Sequence, residues 1–517
     1  MPQPRRPCSV GADFLQLDTA HAPARDLTGW LTAQVRAAVA DGRLPAGVRL
    51  PATRTLAQDL GVSRGVVVEA YRRLADEGLV DTRTSAGTRV RALAPTPAPA
   101  APPDTLVLPA DRLPPIPRSA ASIDLSPGVP DLAAFPRAAW LRAERAVLAE
   151  ATATDLRYGD PRGNHVLRAE LATWLARTRG VQVEPGGLVV VAGVAQSLAL
   201  LAHVLQANGD GADGIDTIAI EDPGSRGARE QLQHWGMATP AVTVDSEGLR
   251  VDELAALRAR DGGPVRAVVV TPAHQYPTGV ALSPQRRRDL LAWAAAGDGG
   301  PGLRPTKGGR RPPERRTHHG AAGPRLIVED DYDAEHRYDR APVPALQAAA
   351  PELVAHTGST SKSLAPGMRL GWLAPPARLL ADLAAAKHAF DLGSPALPQL
   401  VLARLLAVGD YDRHLRRVRV RQRQRRDAMV AALRDLVPGG EVTGLAAGLH
   451  LLVLLPDHHA LQDDQEIVDR LAEVDVIAQP LSWHRTAPGP PGLVLGYAAH
   501  PPDRLREAIS RLARVLS

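Results

Sequence analysis

The chain has 517 residues, 44% of them hydrophobic, with 61 Lys and Arg against 56 Asp and Glu and a single cysteine, Cys8. That length exceeds one ordinary domain, and one cysteine excludes an internal disulfide framework and suits a reducing compartment. No run of about 18 uncharged apolar residues is present to cross a membrane, and the opening MPQPRRPCSVGADF lacks a signal peptide's apolar core, so a cytoplasmic protein with no membrane partner is expected.

Charge is unevenly placed. Residues 1–91 carry 13 Arg and 9 Asp or Glu, most of the chain's net +5, which points to a nucleic-acid contact near the N-terminus or to a solvated face. Only Lys307, Lys362 and Lys387 among the 61 basic residues are lysine. Where arginine is the rule, a retained lysine suggests an amine that must lose its proton, which a guanidinium cannot do.

In chain order, Leu27, Leu31, Val35 and Val39 share one helical face, so LTGWLTAQVRAAVADG predicts a first amphipathic helix. RTLAQDL, then Gly61-Val62-Ser63, then RGVVVEAYRRLADEG predict a helix, a glycine turn and a longer helix. Ser63 is expected to cap that second helix, with Arg64 on its first turn. LVDTRTSAGTRVR predicts two short strands around a turn, the shape of a wing. This N-terminal unit is taken as residues 24–92, and the Pro-rich stretch 93–122 as an extended linker.

From 123 to 517 the pattern alternates. LVVVAG (188–193), DTIAIED (216–222), RAVVVTP (266–272) and RLIVEDD (325–331) predict short buried strands between amphipathic helices, hence a mostly parallel sheet in an α/β domain. A smaller α+β lobe is expected from about residue 399, with GLHLLVLLP and GLVLGYAA as strands. The Gly-, Pro- and Arg-rich segment 298–323 has almost nothing to bury and reads as a disordered surface insertion. No metal site is expected.

Two stretches carry chemistry. GSTSKSLAPGMRLGW (358–372) offers a lysine, two serines and an arginine at Ser-x-Ser-Lys-(x6)-Arg spacing. LIVEDDYDAEHRY (326–338) places two carboxylates and a tyrosine at the end of an apolar strand, where α/β ligand sites gather. A pyridoxal phosphate site needs such groups: an amine for the Schiff base, a carboxylate for the pyridinium nitrogen, donors for the phosphate and a hydroxyl facing the ring oxygen.

LPATRTLAQDLGVSRGVVVEAYRRLADEGLV followed by AGTRV resembles the GntR family of winged helix-turn-helix proteins over about 65 residues. The resemblance implies a double-stranded DNA operator as partner, touched by Arg54, Ser63 and Arg64, by Gly87 and Thr88 in the wing, and less directly by Arg49. Arginine suits this, since it pairs bidentately with guanine or clamps phosphate. From about Ile123, the ordered stretches LSPGVPDLAAFPRAAW, LRYGDPRGNHVLRAELATWL, EDPG, TPAHQYPTG, EDDYDAEHRY and SKSLAPGMRLGW resemble fold-type I aminotransferases, most closely the regulatory MocR/GabR branch.

That second resemblance implies pyridoxal 5'-phosphate as cofactor, with Lys362 forming the Schiff base, Asp330 pairing with the pyridinium and Tyr332 facing the ring oxygen. Ser359, Ser361 and Arg369 fall where the family binds phosphate, as do the backbone N–H groups at Gly193, Val194 and Ala195. Tyr158 matches a tyrosine that reaches the phosphate of a neighbouring subunit, which implies a homodimer. Four positions depart from the family. Ser225 replaces the tyrosine that stacks on the ring, Val194 and Ala195 replace a polar pair, and Val494 replaces the arginine that grips a substrate carboxylate; Arg226, Arg229 or Arg485 are the possible substitutes. Three functions follow: a regulator sensing an amino compound or the cofactor itself, an aminotransferase tethered to DNA, or a decayed pocket that only dimerises. The fused DNA-binding unit and the missing carboxylate arginine favour the first, with little or no transamination.

Overall fold

The computed structural model describes residues 22–23, 26–83, 87–91, 122–207, 215–260, 262–297, 324–338, 343–455 and 463–517. The expected insertion at 298–323 lies outside them, as does the expected linker but for Ser122. The chain divides into two units, residues 1–114 and 115–517.

The first unit is built from α1 (Leu27–Ala40), α2 (Thr53–Leu60), α3 (Arg64–Asp76) and the antiparallel pair β1 (Val80–Arg83) and β2 (Gly87–Val90). Asp26 caps α1 by accepting from the Gly29 N–H at 2.8 Å. Leu31, Val35 and Ala38 of α1 meet Leu56 and Leu60 of α2 and Val67, Ala70 and Leu74 of α3 in one core. Each such large aliphatic side chain contributes about 1.5–3 kcal/mol on burial. Gly61, in the left-handed region at φ +64°, ends α2 and turns the chain into α3. A bridge from Arg49 to Arg89 ties the loop before α2 to the wing.

The second unit begins with β3 (Ile123–Asp124), α4 (Arg137–Glu150), α5 (His165–Arg179), β4 (Val189–Val191), α6 (Val194–Ala207), β5 (Ala219–Asp222) and α7 (Arg226–His234). It continues through β6 (Ala241–Asp245), β7 (Gly248–Leu249), α8 (Val251–Ala256), β8 (Ala267–Val270), α9 (Pro284–Ala295), β9 (Leu326–Asp330), β10 (Val354–Ser359) and β11 (Gly371–Ala374). Eight of these strands form one sheet in the order β4-β11-β10-β9-β8-β5-β6-β7. The run β10-β9-β8-β5-β6 is parallel, while β11 and β7 run antiparallel to their neighbours. Both faces are covered, as the unbroken apolar strands require. Val189 and Val191 pack against α6, while Val190 between them packs against α5.

The remaining elements are α10 (Ala377–Asp391), α11 (Ala396–Ala407), α12 (Asp410–Leu436), β12 (Glu441–Thr443), β13 (His450–Leu454), α13 (Asp464–Glu473), β14 (Val476–Ile477), β15 (Gln479–Pro480), β16 (Gly492–Gly496) and α14 (Pro502–Leu516). A four-stranded sheet in the order β12-β13-β16-β15 shares its core with α13, α14 and the later turns of α12. Residue 399, where the small lobe was expected to begin, lies inside α11, whose Val401, Leu402 and Leu405 pack with Leu167, Leu171 and Trp174 of α5. Ile123 and Leu125 instead join the small lobe's core from far upstream, through the parallel pairing of β3 with β14.

Candidate ligand site and nucleic-acid interface

The expected ligand residues converge where the parallel strands end. Asp330 closes β9, opposite Thr357 of β10 in the parallel register. Two residues later β10 stops at Ser359 and the chain turns through Lys362. Lys362 Nζ donates to the Gly128 carbonyl at 2.9 Å. Gly128 has φ +83°, a conformation that favours glycine, and a Cβ there would stand 2.6 Å from that Nζ and push the amine aside. Burial lowers the Lys362 pKa, against the opposing pull of Asp330 and Asp333. The shift favours the neutral amine, the form that attacks a carbonyl.

Asp330 and Asp331 differ sharply. Asp331 accepts from Arg179 Nε at 2.6 Å and Nη2 at 3.1 Å and lies 3.0 Å from His356 Nε2, all within the core. Burial would raise its pKa, but Arg179 and His356 hold it well below the usual carboxylate range. Asp330 has no such partner: its Oδ1 is buried without a hydrogen bond. Burial, then the Asp331 and Asp333 carboxylates, push its pKa up to about 7, with the Lys362 ammonium opposing. A buried, unpaired carboxylate oxygen is costly. A cationic ring nitrogen would satisfy it, so this donor set fits a pyridinium cofactor.

The Tyr332 hydroxyl lies 3.2 Å from His274 Nδ1, which also lies 2.9 Å from Asp333 Oδ2. Around this pair stand Tyr276, His450 and His484, with the Tyr276 ring 4.9 Å from His450, 5.1 Å from His484 and perpendicular to Tyr332 at 6.1 Å. Burial lowers the pKa of His450 well below its ordinary value and that of His484 to about 3, so both are neutral at pH 7. Sequence reasoning assigned none of these, nor Gly128. Gly128, His274 and Tyr276 sit inside the stretches singled out above, whereas nothing in the sequence marks His450 or His484.

On the other side, the Arg369 guanidinium makes no hydrogen bond or ion pair among the described residues, and its Nη1 lies 3.5 Å from where a Gly193 Cβ would stand. Val194 opens α6, so Val194 and Ala195 present first-turn N–H groups there. Ser359 Oγ accepts from the Ser361 N–H at 3.3 Å. Tyr158 stands apart and is 88% exposed.

The departures have structural roles. Ser225 is the N-cap of α7, its Oγ accepting from the Ala228 N–H at 3.2 Å. Val494 is buried on β16 with Leu452 and Leu481, against Tyr276. Arg226 pairs with Glu230 at 2.5 Å and lies over the Trp483 ring, Arg229 Nη2 donates to the Trp483 carbonyl at 2.8 Å, and Arg485 donates to the Pro490 carbonyl.

In the first unit, Arg54 on α2 and Arg64 at the start of α3 are exposed, and neither has a partner among the described residues. Ser63 does take the N-cap position of α3, but its hydroxyl accepts no helix N–H, contrary to the expected capping bond. It is exposed beside Arg64. Arg49 lies against the wing, its Nε 2.6 Å from where a Gly87 Cβ would stand, and Thr88 follows on β2.

A winged helix-turn-helix and an aminotransferase-type sheet in one chain define a class, DNA-binding regulators with an aminotransferase-like domain. Residues 29–90 match the family "Bacterial regulatory proteins, gntR family", and residues 121–298 and 328–512 match "Aminotransferase class I and II". The chain is 33% identical over 503 residues to the HTH-type pyridoxine biosynthesis transcriptional regulator PdxR of Corynebacterium glutamicum, covering 94% of this chain and 95% of that one. It is 30% identical over 494 residues to the probable rhizopine catabolism regulatory protein MocR of Rhizobium meliloti, covering 93% and 91%. The multiple substrate aminotransferase of Thermococcus profundus superposes with a TM-score of 0.64 at 27% identity, over 77% of this chain and 92% of that one. The chain belongs to the MocR-type branch of the GntR family and is an HTH-type transcriptional regulator with an aminotransferase-like domain.

Proposed function

We propose that the protein binds pyridoxal 5'-phosphate in the large unit and uses occupancy of that site to alter its hold on a DNA operator. The observation that carries this reading is the unpaired Asp330 oxygen beside the buried amine of Lys362. When bound, the cofactor would supply an aldehyde to the amine and an electron-withdrawing ring. Lys362 would hold its aldehyde carbon, Asp330 would pair with its ring nitrogen, and Tyr332 would serve its ring oxygen. Ser359, Ser361, Arg369 and the N–H groups at Gly193, Val194 and Ala195 would receive the phosphate. Tyr158, 88% exposed, is available to a second copy, which supports a homodimer. Arg54, Ser63, Arg64, Gly87 and Thr88, with Arg49 in a lesser role, meet the operator, a partner that agrees with a cytoplasmic location.

The signal is pyridoxal phosphate itself or an amine bound without a carboxylate clamp. Val494 packs in an apolar cluster, and Arg226, Arg229 and Arg485 each have partners, so none of these three is held ready for a substrate carboxylate. The likeness to PdxR, named for pyridoxine biosynthesis, agrees with a vitamin-derived signal. The likeness to working aminotransferases supports a second reading, a transaminase. Transamination also requires the substrate to be aligned, and poor alignment costs about 10²-fold or more in rate. Two assays separate the readings: operator affinity with and without pyridoxal phosphate, and single-turnover formation of the pyridoxamine form across a panel of amino acids. A change in operator affinity with no conversion on the seconds scale supports the sensor. Conversion within seconds makes the protein an enzyme.

A further inference from the structure

Lys387 is the most deeply buried lysine of the described chain, at 0% exposure, on α10. Its Nζ donates to Asp391 Oδ1 at 2.7 Å, to Asp391 Oδ2 at 2.8 Å and to Ser394 Oγ at 3.2 Å. Asp391 also accepts from Gln196 Nε2 at 2.8 Å. Gln196, in the first turn of α6, accepts in turn from the Ala192 N–H at 2.8 Å. Ala192 immediately precedes Gly193, Val194 and Ala195. The chain of contacts therefore runs from a buried ammonium through a carboxylate and an amide to the backbone that turns into the expected phosphate cradle.

We infer that Lys387 is a positioning residue for phosphate: through Asp391 and Gln196 it fixes the turn at Ala192–Gly193 so that the N–H groups opening α6 and the Arg369 guanidinium face one point. The inference rests on the cofactor reading above. The geometry also accounts for a lysine in a chain that otherwise uses arginine. Three acceptors gathered on one nitrogen suit a compact ammonium, whereas a planar guanidinium fork spreads its donors and needs more room. With the ammonium gone, Asp391 would lose the cation that holds its carboxyl below the usual range, against burial. Its grip on Gln196 would then slacken. Lys387 touches neither the ring nor the aldehyde carbon in this scheme. Its effect should be confined to ligands that carry phosphate.

The test compares two ligands on the full-length protein: pyridoxal phosphate and pyridoxal, which has the aldehyde and ring but no phosphate. Affinities are read from the visible absorption that a Lys362 adduct produces. Lys387→Met should weaken pyridoxal phosphate about 10-fold or more, the scale of losing a supporting partner at a charged site, and leave pyridoxal within about twofold of wild type. Asp391→Asn, which removes the charge and one of the two acceptor oxygens that Lys387, Gln196 and the Gly393 N–H share, serves if Lys387→Met does not fold, and should act in the same direction. Equal weakening of both ligands in either variant, or no weakening of pyridoxal phosphate, would overturn the inference. A wild-type protein that forms no adduct with either ligand overturns the cofactor reading itself, and this inference with it.

Discussion

The Arg179 guanidinium holds Asp331 at 2.6 and 3.1 Å inside the core, while Asp330, the residue before it, keeps a buried oxygen that meets no donor among the described residues. Two successive carboxylates thus have opposite roles, one fixing the sheet to α5 and one left for a ligand. Breaking a buried pair by removing one charge costs about 3–5 kcal/mol. Asp331→Asn is therefore expected to destabilise the cofactor-free protein on that scale in urea unfolding, and Asp330→Asn is not. Similar losses from both variants would contradict the division of roles.

The raised pKa of Asp330 makes a second, pH-dependent prediction. In the unfolded chain this carboxyl loses its proton near pH 3.9, and in the folded, cofactor-free protein near pH 7. Between these values the folded state binds the extra proton, so the contribution of Asp330 to stability falls as pH rises through that window and levels off above it. Asn has no such titration. The stability of Asp330→Asn relative to wild type is expected to climb from about pH 4 to about pH 7, reaching on the order of 3 kcal/mol. A flat difference across that range would place Asp330 in a more solvated setting than the structure gives it.

DNA binding is tested at two arginines whose side chains have no partner among the described residues. If Arg64 reads a base, Arg64→Ala should weaken specific operator binding by about 1–3 kcal/mol, and if Arg54 clamps a phosphate, Arg54→Ala should lower affinity for all sequences and reduce the salt slope by about 1. Gel-shift or anisotropy titrations at matched salt distinguish these outcomes. Operator affinity unchanged in both variants would remove the proposed interface.

Much of the fold was legible because its signals are local. The strands around LVVV, AIED, AVVV and LIVED are short β-branched runs, and the helix-turn-helix is marked by Gly61 and its flanking apolar periods. The start of the small lobe was not legible, since α11 has an apolar pattern that fits either core and only tertiary packing assigns it to α5. The same limit applies within the site. Lysine scarcity drew attention to Lys362 and Lys387 alike, yet only contacts distant in sequence separate an amine on Gly128 from one paired with Asp391. The freedom of Asp330 depends on Arg179, some 150 residues earlier, and no local pattern records that pairing. Ser63 shows the converse, a correct helix start whose expected capping bond is absent.

Residues 298–323 separate α9 from β9, and the aminotransferase family match breaks over 299–327. Replacing 298–323 by a short Gly-Ser loop is expected to shift the melting temperature by no more than about 2 °C, on the order of 1–2 kcal/mol for a unit the size of residues 115–517. A drop of about 10 °C would mean that the segment packs on the domain.

The central claim is that Lys362 carries the cofactor in a DNA-binding regulator, and borohydride reduction followed by peptide mapping tests it most directly. Purified protein incubated with pyridoxal phosphate, reduced and digested should carry the phosphopyridoxyl label on Lys362, and Lys362→Ala should lose both the label and the visible absorption. Label on Lys307 or Lys387 in place of Lys362, or wild-type absorption retained by Lys362→Ala, would contradict the account.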